Sequence, residues 1–195
     1  MEATKKMAWP YFAAFLFLSL IGATIYWWHY QNKVYPDHMI VQTIDDLSCI
    51  FHQIDATVGI TGFKQAHNMI DFLTVGSFVG SEIGPMNLKY PKKWAGPYVA
   101  DNPTFQGKLY QIVQAKDGYW LLPGDGVVLS NGRVVGGDLH ITPDTKVRGL
   151  IESGLLVGDG MPLARKITIG QTSPICGPKK LQLFSPEIVD QVVDY

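Results

Sequence analysis

Two acid–imidazole pairs come closest to chemistry in this sequence: Asp37-His38 and Asp138-Leu-His140. On a strand, alternate residues share a face, so Asp138 and His140 would set a carboxylate beside an imidazole. Such a pair can orient a general base or begin a metal site. No third ligand accompanies either pair, and His29, His52 and His67 are scattered, so solvated turns account for them better. Ser130 and Ser153 lie outside any Gly-x-Ser-x-Gly elbow. Cys176, in Pro-Ile-Cys-Gly-Pro, has only Lys179 nearby to favour its thiolate. Phosphate-cradling glycine loops and the His-Glu-x-x-His zinc signature are absent. No enzyme is expected.

The totals narrow the classes further. With 195 residues, 47 % of them hydrophobic, the chain can hold one core and an anchor but hardly two full domains. Its formal net charge of −1 gives no electrostatic footprint for nucleic acid. Two cysteines are too few for a disulfide-dense scaffold.

From Met7 to Trp28 the chain carries no charged residue. As a helix this run spans roughly 33 Å, enough for a hydrocarbon core of about 30 Å. Lys5 and Lys6 precede it, which keeps the short N-terminus in the cytoplasm. Trp9 and Tyr11 at one end, and Tyr26, Trp27, Trp28 and Tyr30 at the other, suit two interfacial belts. Pro10 is expected in the first helical turn. A buried soluble helix or a cleaved signal peptide are the alternatives. The length of the run and the membrane-compatible residues after Gly22-Ala23 favour an uncleaved anchor.

Beyond the anchor, Pro36 can begin a helix or kink a continuing one. Ile40, Ile44, Leu47, Phe51, Ile54 and Val58 then recur in steps of three and four, with Ile50 at the stripe's edge. Gln42, Asp45, His52 and Gln53 lie opposite, and Gly59 and Gly62 offer stops. The spacing predicts a helix packed on a sheet rather than a coiled coil. Cys49 falls on the polar face. It can bond Cys176 in an oxidising compartment if the tail wraps behind the helix; otherwise both thiols stay free.

Residues 60–93 predict a short helix or irregular segment near 64–73, then a loop with one extended piece, broken by Gly76, Gly80, Gly84 and Pro85. Lys89, Lys92 and Lys93 read as a solvated loop, with lipid head-group contact as the minor alternative. Trp94-Ala-Gly-Pro-Tyr98 then forms a rigid turn into the sheet. Lys108–Ala115 and Tyr119–Leu122 flank Asp117-Gly118, and Val127–Leu129 and Arg133–Val135 flank Ser130-Asn131-Gly132, so at least four strands should follow as a meander. Thr142-Pro143-Asp144 starts a brief helix over 146–153 closed by Gly154, and Leu155–Val157 and Leu163–Ile169 suggest one more hairpin. Residues 172–195 read as a loosely packed tail.

This layout resembles the type IV pilin-like superfamily, closest to the major pseudopilins of type II secretion systems. The residues that carry the resemblance are an apolar half-helix running into an amphipathic one, the turn Trp94, Gly96, Pro97 and Tyr98, then Asn102-Pro103 and the strand Gly107-Lys-Leu-Tyr110. The resemblance implies an α+β fold: a transmembrane helix continuing into an amphipathic helix packed on a small antiparallel sheet. Pilin precursors also carry a Gly-Phe cleavage pair and a Glu five residues later. This chain has neither, with Met7-Ala-Trp-Pro10 after its lysines and no acid between Met7 and Tyr35. The pattern therefore implies a pilin-like fold on a plain membrane anchor. Major pseudopilins hold calcium, for which the resemblance offers Asp125, Asp138 and Asp159 in Gly-rich turns. Their spacing does not reproduce the family's site, and acidic turn residues explain them better; no other cofactor is expected.

The expected order is a cytoplasmic stub (1–6), anchor (7–29), stalk helix (30–60), connecting region (61–93), sheet domain (94–171) and tail (172–195). The expected function is that of a single-pass structural or assembly protein of the cell envelope, related to secretion. Its inner-membrane anchor would place the C-terminal domain in the periplasm or outside the cell. Its partners would be the bilayer through residues 7–29, other envelope proteins and further copies of itself. The alternatives are an anchored binding module acting alone through loops 76–93 and 123–138, and an anchored hydrolase.

Overall fold

A computed structural model of the protein describes residues 3–170, with the backbone alone for 3–10 and 29–35. One helix, α1 (Ala3–Val58), takes up its first third. The apolar tract and the striped segment are thus one element. Pro10 lies well inside it rather than in the first turn, because Ala3 to Met7 extend the helix ahead of the tract. Pro36 does not begin a helix either. Each proline removes one amide donor, a loss that long helical flanks on both sides can absorb.

The stripe does what its spacing predicts. Ile40, Ile44, Leu47, Ile50, Phe51, Ile54 and Val58 are all buried, whereas Gln42 and Gln53 are exposed. Gly59, at φ +66°, ends the helix, with its amide donating to the Asp55 carbonyl at 2.9 Å. The Asp55 carboxylate then accepts from two backbone amides, Ile60 at 2.8 Å and Gly170 at 2.6 Å. One side chain so holds both the helix exit and the chain that leaves the sheet.

The stripe packs on antiparallel sheets. The main sheet has the order β11 (Arg165–Ile167), β8 (Gly118–Leu122), β7 (Gln111–Ala115), β2 (His67–Met69). A second sheet has the order β1 (Ile60–Phe63), β4 (Met86–Leu88), β3 (Glu82–Ile83). Two small hairpins complete the set, β5 (Thr104–Phe105) with β6 (Lys108–Leu109), and β9 (Val157–Gly158) with β10 (Met161–Pro162). The fold is α+β, with α1 contacting β8, β10 and β11.

Five expectations change in detail. Of the short helix or irregular segment expected over 64–73, the segment is irregular around the three-residue strand β2, and residues 81–88 hold two strands rather than one extended piece. Asn68 explains the first: its buried amide donates to the Gln65 and Ile112 carbonyls and accepts from the Gln65 amide, fixing a turn that local propensity does not reveal. The strand expected over 108–115 is split at Tyr110, because its first part pairs with β5 and its second with β8. The β7–β8 turn residues are Lys116-Asp117, since Ala115 faces Gly118. Residues 127–135 form a hairpin closed by a single bridge, Val128 to Val134, outside the main sheet, so the meander stops at β8. The brief helix is α2 (Val147–Glu152), followed by Gly154 at φ +77°.

Tyr110 is the pin between helix and sheet. It is buried, and burial pushes its hydroxyl pKa up to about 12 against a weaker, opposite pull from the Thr43 hydroxyl on α1. A phenol harder to ionise when folded stabilises the fold fully below pH 10. That contribution fades as pH climbs toward 12. Loss of roughly 2–3 kcal/mol across that window is expected, and Tyr110→Phe should flatten the alkaline limb of a stability-versus-pH curve.

Candidate functional site

Three surfaces can do something beyond holding the fold together. The first is the apolar half of α1. Tyr11–Trp28 is long and apolar enough to cross a membrane by length and composition. Every residue in it is exposed, with Phe15, Leu18 and Trp28 among the largest bare side chains. A buried soluble helix is therefore not what this tract forms.

The second surface surrounds the Trp94–Tyr98 turn. Trp94 is held by its indole N–H, which donates to the Val75 carbonyl at 2.9 Å. Its ring meets Tyr98 edge-on at 4.8 Å and Phe78 at 5.6 Å. The Tyr98 amide donates to the Leu73 carbonyl at 2.8 Å, and the Asn102 side chain to the Asp71 carbonyl at 2.8 Å. The turn therefore docks onto loop 71–78 instead of leading straight into a strand, and the Gly96–Pro97 bond within it is cis. A β-carbon on Gly96 would collide with the Val75 carbonyl and the Trp94 indole nitrogen. Gly96→Ala should cost about 1–3 kcal/mol in a denaturant titration, as overpacking does. Gly149→Ala, on the open side of α2, should be neutral or stabilising by up to about 1 kcal/mol.

Pro103 follows Asn102, ahead of the β5–β6 hairpin. That hairpin turns on Gln106 and Gly107, both at positive φ, and the Gln106 amide both donates to and accepts from Val128 at 2.9 Å. Beside the aromatic face, Lys89 and Lys93 sit over the Tyr90 ring at 5.1 and 5.0 Å.

The third surface is a groove of about 610 Å³ between α1, α2 and the β10–β11 stretch. Val41, Ile44, Ile151, Met161, Pro162 and Ala164 line it with apolar groups, and Arg148, Glu152, Lys166 and the Asp45–Arg165 pair add charged ones of both signs. Beside them a smaller hollow of about 330 Å³ is bordered by Asp117, Lys146 and Glu152. Burial pushes the Asp117 carboxyl pKa up. Hydrogen bonds from the amides of Arg148, Val147 and Asp117 itself, and from the Trp120 indole, outweigh it and leave the pKa below the ordinary value. Asp117 thus caps α2 from another element, which Lys146, the residue at the cap position, cannot do with its side chain.

The sequence-adjacent acid–imidazole pairs are pulled apart. Asp37 is buried against Gly158, and its Oδ1 has no hydrogen-bond partner among the described residues. His38 points outward and meets Asp159 at 3.3 Å. Asp138 accepts from the Val134 amide at 2.9 Å, while His140 is exposed. Asp125 accepts from the Gln111 amide at 2.8 Å. Asp125 and Asp138, two of the calcium candidates, thus hold turns and Asp159 meets a histidine; among the described residues no three His, Cys, Asp or Glu gather.

Cys49 is disulfide-bonded. Cys176, the only other cysteine of the chain, lies outside the described residues, as does the tail. The Asp55 clamp and the remote Asp117 cap escaped the sequence reading. An acid four residues ahead of the Gly59 stop was the one local hint of the clamp. No protein-family model matches this chain, and neither does any curated protein or solved structure.

Proposed function

We propose that this chain is a single-pass, pilin- or pseudopilin-like structural protein of the cell envelope, with its N-terminus in the cytoplasm and its α+β head on the far side of the membrane. The observation that carries the reading is the continuity of α1. One helix presents a bare apolar surface over Tyr11–Trp28 and then supplies the core stripe of the head over Ile40–Val58. Gly22-Ala23, the only small-residue cluster where a signal peptide could be cut, falls inside that helix, which favours retention. The Cys49 disulfide supports an oxidising compartment for the head. Side-by-side packing of the anchor helices would build the assembly, leaving the head loops to meet other envelope proteins.

Two measurements test this. A periplasm-active reporter fused after Tyr195 should be active, with the N-terminal residues still present on mass spectrometry. A cytosolic C-terminus or a clipped anchor would end the proposal. A photocrosslinking residue at Phe15 in intact membranes should give a ladder of adducts. Monomer alone would favour the second reading, a binding module acting singly, for which the half-buried Phe78, Trp94 and Tyr98 cluster is the supporting observation.

A further inference from the structure

We infer that Lys89, Lys92 and Lys93, together with the Tyr90 ring, form a docking surface for a linear anionic polysaccharide. The inference rests on the exported head proposed above, and it holds whether the heads assemble or act singly. The backbone fixes where this surface lies. The amides of Lys89 and Tyr90 donate to the Gly59 and Val58 carbonyls, each at 2.8 Å, so the surface closes the end of α1 opposite the apolar tract. From Trp28 to Val58 the helix runs about 45 Å. The field of an exposed charge fades within about 8 Å at physiological ionic strength, so these lysines cannot serve the bilayer that anchors the chain. Their partner lies further out.

Charge and composition choose that partner. All three lysines are exposed, and none pairs with a carboxylate among the described residues. The Lys89 and Lys93 ammoniums lie instead over the Tyr90 ring, which is 47 % exposed. Two neighbouring acids are already engaged, Asp55 by the Ile60 and Gly170 amides and Glu82 by Lys64. The exposed Asp71 and Asp101 lie by Asn102, beyond the other end of the Trp94–Tyr98 turn. An anionic chain is therefore held at the lysine end and turned away at the other. Lysine is a hydrated point charge that accepts anions in many geometries, unlike the arginine fork. Contacts between folded proteins favour arginine and are poor in lysine, and no arginine lies between Gly59 and Gly132. An exposed aromatic ring beside ammoniums offers an apolar face to sugar C–H groups while the cations meet the polymer's charges.

Binding of the full chain, in neutral detergent micelles, to polygalacturonate tests the inference. This measurement does not depend on topology, which the reporter fusion reads separately. Polygalacturonate should bind, and uncharged dextran should not. Lys89→Gln, Lys92→Gln and Lys93→Gln together should weaken binding at least about tenfold, the loss expected for three exposed charge contacts. Lys89→Arg, Lys92→Arg and Lys93→Arg together should retain it. Lys108→Gln, Lys116→Gln and Lys146→Gln, which remove the same charge from exposed positions elsewhere, should also leave binding intact. Tyr90→Ala should lower affinity for polygalacturonate but not for poly-glutamate, and Tyr90→Phe should change neither. An equal loss on both polymers would give the ring a structural role only and overturn the polysaccharide assignment. So would unchanged affinity in the first glutamine triple, or an equal loss in the control triple. Binding at least as tight to poly-glutamate (an acidic peptide), oligodeoxythymidylate (a nucleic acid) or phosphatidylglycerol vesicles (a lipid surface) would overturn it too.

Discussion

Leu18→Arg combined with Ile21→Arg should release the full-length protein from membranes. Both side chains are exposed within the apolar tract, at 67 % and 41 %, and neither contributes to the core of the head. An arginine near the centre of a spanning helix costs about 2.5–3.5 kcal/mol, so the pair costs about 5–7 kcal/mol, more than a thousandfold in partitioning. Alkaline extraction followed by flotation measures it. Val79→Arg, on a fully exposed head residue, is the control and should leave partitioning unchanged. If the double variant still floats with the lipid, the tract is not what holds the protein there.

Phe51→Ala should be the most damaging single truncation in the stalk. Phe51 is completely buried, and its ring meets Phe72 edge-on at 6.2 Å, tying α1 to the loop that also receives the Trp94 turn. Removing a buried phenyl group forfeits its transfer free energy and leaves a cavity, together about 3–5 kcal/mol. Loss of that size approaches the whole stability of an ordinary domain. Urea unfolding in micelles, followed by near-ultraviolet circular dichroism, would read it. Met39→Ala on the outer side of the same helix, where the side chain is 39 % exposed, should stay within about 0.5 kcal/mol.

The long-range order of the head was partly readable from residue spacing. Steps of three and four from Ile40 to Val58 can bury one face only as a helix, and the two-residue turn ahead of Gly118 can join strands only as a hairpin. What stayed hidden depends on partners distant in sequence. The residues of β2 resemble a helix until Asn68 finds the Ile112 carbonyl, forty-four positions away. The Asp117 carboxylate reads as a turn residue until α2, thirty positions on, places its amides against it. The Trp94–Tyr98 turn was legible as a rigid element, but not its seat on loop 71–78, because nothing in either segment names the other. The groove left no local trace either, since its floor draws on α1, α2 and β10, three segments that meet only once the sheet has formed.

The absence of any loop between the bare apolar part and the core-facing part of α1 has a mechanical consequence. A shaft without a joint transmits torsion, so under the proposed anchoring the head would not swivel on its stem without twisting the stem inside the bilayer. A neighbour that gripped one side of an embedded stem would thereby select which side of the head it faces. Neighbouring subunits would then be indexed by angle from within the lipid, and the outer loops would only need to fit the arrangement already imposed on them.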